Sequence, residues 1–254
     1  MTANSALPEN ACLDCKATVK RTDVFCPNCG RELSVNVHES REDVFTTLTP
    51  ILLYYFGTLI LLMIYKFTPV FPDGFEGQVV VSVIDIGIVI GFWIYARHEL
   101  APLFSLSGLS VKLIFLTLLG ALTGSVVIHF VATLINVSIS DDVFYNPYLF
   151  EDTQFPLVIS VLFICVQPAV FEEVAFRGFM FGNLKRVTSP AGAIYISSFV
   201  FGLLHLAIIS LIWLVPIGLA FAFLRFRYNT LWYGIIGHFA YNLGITLIEF
   251  YHIF

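Results

Sequence analysis

The sequence predicts an all-α fold, a polytopic transmembrane helical bundle of about seven spans, preceded by a small separate domain. Three observations carry this expectation. The chain is 58% hydrophobic and only 12% charged, and its mean hydropathy is +0.86, whereas a soluble domain of 254 residues needs far more polar surface. From Val44 onward, apolar runs long enough to cross a hydrocarbon core of about 30 Å recur between short polar breaks. Ahead of the first run stand four cysteines in two C-x2-C pairs. The net charge of −5 decides little, because topology follows the placement of Lys and Arg and not their total.

Residues 1–33 form the separate domain. Cys12, Cys15, Cys26 and Cys29 are spaced C-x2-C, ten residues, C-x2-C. Each C-x2-C turn presents two thiolates to one ion, and Pro27, Asn28 and Gly30 supply a tight turn, so the spacing predicts a zinc ribbon with a closed tetrahedral, structural site. So short a segment buries too little to fold unaided, and the metal supplies the missing free energy. The rival is a pair of disulfides in an oxidising compartment. The ribbon is slightly acidic, which argues against nucleic acid; a cytosolic protein is its candidate partner. Residues 34–43 read as a polar linker.

The expected spans are 45–66, 79–96, 112–135, 155–184, 190–208, 211–226 and 230–250, which divide into N-terminal transmembrane helices (44–150) and a second transmembrane unit (151–254). Pro69, Pro72, Asp73 and Gly74 break the first pair, Arg97, His98, Glu99 and Pro102 the second, and an acidic 136–154 loop with Asp141, Asp142, Glu151 and Asp152 the third. Arg97 with Lys112, Lys185 with Arg186, and Arg225 with Arg227 fall on alternate connections. The positive-inside rule then places these and the ribbon in the cytoplasm and the acidic loop outside. The connection at Ile208, Ile209 and Ser210 has little turn chemistry.

Within this apolar background, Glu172, Glu173 and Arg177 stand out. Each charge at bilayer depth costs about 2.5–3.5 kcal/mol on insertion scales, which marks intramembrane acids as functional-site candidates. At a rise of about 1.5 Å per residue, Glu172 lies roughly 20 Å from Lys185, His205 roughly 22 Å from Pro190, and His238 roughly 16 Å from Arg227, so three helices bring polar groups to one level. Glu173 and Arg177, Phe201 and His205, and His238 and Asn242 are each spaced i, i+4 on one helix face. A buried carboxylate can serve as a general base, and imidazole and carboxamide can donate to an oxyanion, a set suited to peptide hydrolysis. A lone histidine in a helical bundle is ordinarily packing, and Glu173 with Arg177 reads more as a structural ion pair than as chemistry. Asp85 reads as facing a polar cavity. His129, Trp213, Pro216 and Trp232 read as anchors, packing or bends, and Phe201 as a cavity wall.

Glu172-Glu173-x-x-x-Arg177, Phe201-x-x-x-His205 and His238-x-x-x-Asn242 resemble, in order, the three signature motifs of the CPBP intramembrane proteases, the CAAX prenyl protease type II and bacteriocin-processing (Abi) family. Gly178 and Gly202 also fit, and the resemblance covers about residues 155–250, leaving the ribbon outside it. It implies a membrane-embedded endopeptidase with a cavity open to the cytoplasm, acting on a membrane-associated peptide or protein. By resemblance, Glu172 with His205 would activate water, His238 and Asn242 would stabilise the oxyanion, and Glu173 with Arg177 would brace the site. A His, His, Glu set can also hold zinc, so glutamate-dependent and metal-dependent hydrolysis both stay open. The alternatives are a catalytically silent scaffold that recruits a partner through the ribbon, and a proton-coupled carrier. A bacterial plasma membrane with a cytoplasmic N-terminus is the expected location.

Overall fold

A computed structural model describes residues 11–19, 23, 25–26, 28–33, 39–139 and 149–253. Pro27, residues 34–38 of the expected linker, and Asp141 and Asp142 of the expected acidic loop lie outside the described residues. The N-terminal domain consists of two matching knuckles. In one, the Lys16 amide donates to the Cys12 carbonyl (2.9 Å); in the other, Gly30 donates to Cys26 (2.8 Å). Both closing residues have positive φ, +60° at Lys16 and +76° at Gly30. Each knuckle is flanked by one antiparallel bridge, Ala11 with Thr18 and Phe25 with Glu32. All four thiols are free, and no strand beyond these bridges occurs among the described residues.

Seven helices of 14 residues or more follow among the described residues: α1 (Glu39–Phe67), α2 (Gly74–Tyr95), α3 (Val111–Ile139), α4 (Pro156–Val187), α5 (Pro190–Leu203), α6 (Leu211–Tyr228) and α7 (Trp232–Phe250). Each coincides with an expected span, although α1 begins inside the segment read as linker. Five of them, α1 to α4 and α6, are long and apolar enough to cross a membrane. The expectation of about seven spans also counted α5 and α7. The former has 14 residues and the latter, at 19, is diluted by His238, Asn242 and Glu249. The chain is thus a membrane protein whose outer helices present apolar side chains outward, among them Leu53, Phe56 and Ile60 of α1 and Phe115, Val127 and Phe130 of α3.

The centre of the bundle is α4. It contains two π-helical stretches, Val161–Val166 and Glu173–Met180, and every residue of the second is buried. Such stretches widen a helix and recur where side chains are placed for function. Against α4 pack the inner faces of α1, α2, α5, α6 and α7, joined through Tyr54, Phe92, Phe176, Phe179 and Phe201. The ribbon rests on the end of the bundle where α4 stops: the Phe25 amide donates to the Arg186 carbonyl (3.2 Å), and Arg186 Nη1 donates to Asp23 Oδ1 (2.7 Å).

One boundary differs from expectation. The fifth span was expected to run to residue 208, yet α5 ends at Leu203, Leu204 and His205 form a turn, and Leu206 adopts φ +52°. Lys66 of α1 donates to the Leu206 carbonyl (3.1 Å), satisfying a backbone group that the broken helix exposes. His205 therefore belongs to a turn and not to a helix face.

Candidate active site

Glu172, His205, His238 and Asn242 line one cavity of about 310 Å³, whose wall also includes Phe201. Glu173 and Arg177 are absent from that wall and lie behind it, both with side chains 0% exposed, whereas the Glu172 side chain is 26% exposed. Adjacent carboxylates thus occupy different settings because successive helical residues diverge in direction. One reaches the cavity and the other is sealed in the core.

The sealed carboxylate organises the imidazole. Glu173 Oε1 pairs ionically with Arg177 Nη1 at 3.0 Å and accepts from His238 Nδ1 at 3.2 Å. With Nδ1–H pledged to a carboxylate, the tautomer and ring plane of His238 are fixed and Nε2 is left for the cavity. It lies 3.9 Å from Glu172 Oε2. Phe221 stacks on the ring (centroids 5.8 Å apart, planes 27° apart), and Phe201 meets it edge-on at 6.0 Å. Gly234, one turn earlier on α7, has no substitute here, since a Cβ would collide with Glu173 Oε2.

Burying Arg177 requires more than one partner. Its guanidinium donates to the Gly218 carbonyl (3.4 Å) and sits over the Phe201 ring at 4.4 Å, with Phe221 at 5.7 Å and Phe176 at 6.0 Å. Ring faces and a carboxylate together replace the water that the charge has lost.

His205 is set by its own turn. Its Nδ1 donates to the Phe201 carbonyl at 2.9 Å, which also leaves Nε2 as the unprotonated nitrogen. Asn242 Nδ2 donates to the Ile164 carbonyl at 2.8 Å, within the first π-helical stretch of α4, so one amide hydrogen ties α7 to α4 and the other is uncommitted by that bond. Gln78 of α2 and Tyr241 of α7 also line the cavity and escaped the sequence reading. Tyr241 lies three residues after His238, a spacing that shares its face, but an aromatic on an apolar helix gives no signal by itself. Asp85 is half-buried on α2 and not among the lining residues, and buried Cys165 meets Thr246 Oγ1 at 3.4 Å.

The four ribbon sulfurs lie within 4.8 Å of one another, with Cys12 to Cys29 and Cys15 to Cys26 both at 3.6 Å. A tetrahedral ion with bonds of about 2.3 Å to sulfur sets edges near 3.8 Å, and a disulfide would bring sulfurs to about 2 Å. The donor set fits a closed metal site. Hydrogen bonding from the Asn28 side chain, with the Ala17 backbone, lowers the Cys15 thiol to about 6, while burial raises its neighbour Cys26. Among the described residues, these sulfurs are the one group of three or more such donors that converges; Glu172, His205 and His238 are more widely spread.

Residues 154–244 match the family described as Rce1-like, Type II CAAX prenyl endopeptidase Rce1-like. Over 94 residues the chain is 35% identical to the Bacillus subtilis protein named "Putative membrane peptidase YdiL"; the aligned part is 37% of this chain and 38% of that protein. No solved structure matches. The matched segment contains Glu172, Glu173, Arg177, His205, His238 and Asn242, and excludes the ribbon and α1 to α3.

Proposed function

We propose that the protein is an intramembrane endopeptidase that hydrolyses a peptide bond of a membrane-associated peptide or protein. The observation that carries this reading is the convergence of Glu172, His205, His238 and Asn242 on one cavity inside a transmembrane bundle. The similarity of residues 154–244 to prenyl endopeptidases supports it. A catalytically silent scaffold would gain nothing from these groups, which the bilayer penalises.

In the proposed mechanism, Glu172 takes a proton from a water held between it and His205 Nε2, and the hydroxide attacks the scissile carbonyl. The oxyanion forms beside His238 and the uncommitted Asn242 hydrogen. Glu173 stabilises the cationic form of His238 and Arg177 holds Glu173 in place, so both position the imidazole without touching substrate. Protonated Glu172 then returns its proton to the leaving amine. The ribbon holds a structural zinc ion through Cys12, Cys15, Cys26 and Cys29. The basic last turns of α4 and α6 support a cytoplasmic placement of the ribbon.

The test is cleavage of a membrane-anchored peptide panel in proteoliposomes by the wild type and by Glu172→Gln, His205→Ala and His238→Ala. Each variant is expected to lose cleavage by about 10²-fold or more, and Glu172→Gln to do so while melting like the wild type. Full activity in Glu172→Gln would remove the assigned base. Elemental analysis of the same preparations separates the metal questions: one zinc per chain, lost with Cys12→Ser and kept in His205→Ala, assigns the ion to the ribbon.

A further inference from the structure

A second cavity, of about 620 Å³ and thus larger than the one holding Glu172, lies where the ribbon meets the bundle. Its floor is the end of the helices. Lys185 and Arg186 come from the last turn of α4, Arg225 from the last turn of α6, and Glu99 from the four-residue helix Arg97–Leu100 that follows α2. Its roof is the ribbon, through Thr18 and Asn28. Among its described lining residues, three cations therefore face one carboxylate, Glu99, which pairs with Arg186 Nη2 at 3.4 Å; Asp23, outside that lining, pairs with Arg186 as well.

These cations are not solvated surface charges. Lys185 is 7% exposed and Arg225 is 5% exposed. Arg225 is clamped, Nε donating to the Arg177 carbonyl (3.1 Å) and Nη1 to Asn229 Oδ1 (2.7 Å), with Phe181 beneath its guanidinium at 5.6 Å. Lys185 Nζ lies over the same ring at 5.4 Å. Arg186 forms its pairs with Asp23 and Glu99 through its terminal nitrogens, while its buried Nε–H has no hydrogen-bond partner among the described residues. Burying like charges side by side is costly, and an anion entering the cavity would offset that cost.

We propose that this junction is a binding site for a phosphate-bearing anion of headgroup size, seated between the ribbon and the ends of α4 and α6. Phosphate offers several acceptor oxygens, which suits a fork of arginine and lysine donors. The volume lies within the range of small-ligand sites. The cavity sits at the polar end of the bundle, where an anionic phospholipid headgroup would arrive laterally and a soluble phosphate from the aqueous side. Because Thr18 and Asn28 complete the wall, occupancy also ties the ribbon down.

The test uses the full-length, metal-loaded protein in detergent, titrated separately with inorganic phosphate, short-chain phosphatidylglycerol and short-chain phosphatidylcholine, reading thermal stabilisation and binding heat. Lys185→Gln removes one cation. Thr18→Glu places a carboxylate in the cavity from an exposed ribbon position, so it tests the site without disturbing the helices. Saturable binding of phosphatidylglycerol, weakened about tenfold in both variants, supports the proposal and assigns a lipid source; the same behaviour with inorganic phosphate supports it and assigns a soluble one. Phosphatidylcholine serves as the zwitterionic comparison. Binding of no probe, or equal binding by the wild type and both variants, overturns it.

Discussion

Glu173 does its work without touching the cavity. It is the anion shared by Arg177 and His238, and its loss leaves an unpaired guanidinium in the core. Glu173→Gln is expected to cost about 3–5 kcal/mol, read by denaturant titration in detergent, because removing one partner of a buried pair strands the other. Glu172→Gln should leave that titration unchanged. Gly234→Ala presses a methyl group onto the Glu173 carboxylate. It is expected to lower peptide cleavage by about tenfold or more through misplacement of His238, measured as a fall in kcat. The six polar residues of the candidate site were legible because charge and imidazole are expensive in an apolar run. The i, i+4 spacing of Glu173 and Arg177 marked the ion-paired carboxylate, but its contact with His238 was not legible, since only the fold brings α7 against α4. Gln78 and Tyr241 gave no signal, as uncharged polar and aromatic residues are ordinary near membrane interfaces.

Among the elements, α5 illustrates how local chemistry sets geometry. Ser189 caps it by accepting from the Gly192 amide at 3.1 Å, and Pro190 supplies a preset first turn. Ser189→Ala should lower stability by about 1 kcal/mol in the same titration, with cleavage retained, because His205 is fixed at the opposite end by the Phe201 carbonyl. Helix positions were legible from hydrophobic run length, which the bilayer dictates. The end of α5 was not: the apolar run continues through Ile208 and Ile209, and the break at Leu206 is a tertiary event, stabilised by Lys66 from a distant helix. The π-helical stretches of α4 were equally silent, for no residue type specifies them.

At the scale of the whole molecule, the chain joins a metal-dependent module to a bundle that rests on apolar packing. A chelator strong enough to strip the ribbon should expose residues 11–33 to a soluble protease while the far-ultraviolet helix signal persists, as judged by mass spectrometry and circular dichroism. Asp23→Asn, which weakens the tie to Arg186, should give partial exposure with the metal still bound. Among the described residues the ribbon is tied to the bundle at the end of α4, but the bundle itself is not made of independent pieces. At about 1.5 Å per residue, the 14 residues of α5 rise only about 21 Å, and α7 owes its low apolarity to the groups it delivers to the cavity. Neither would leave a translocation channel for lipid by itself. During synthesis, α5 and α7 are therefore expected to enter the bilayer together with α4 and α6, which are apolar enough to cross it. A lesion in any one of them is then a defect of biogenesis, seen as lost protein before it is seen as lost activity.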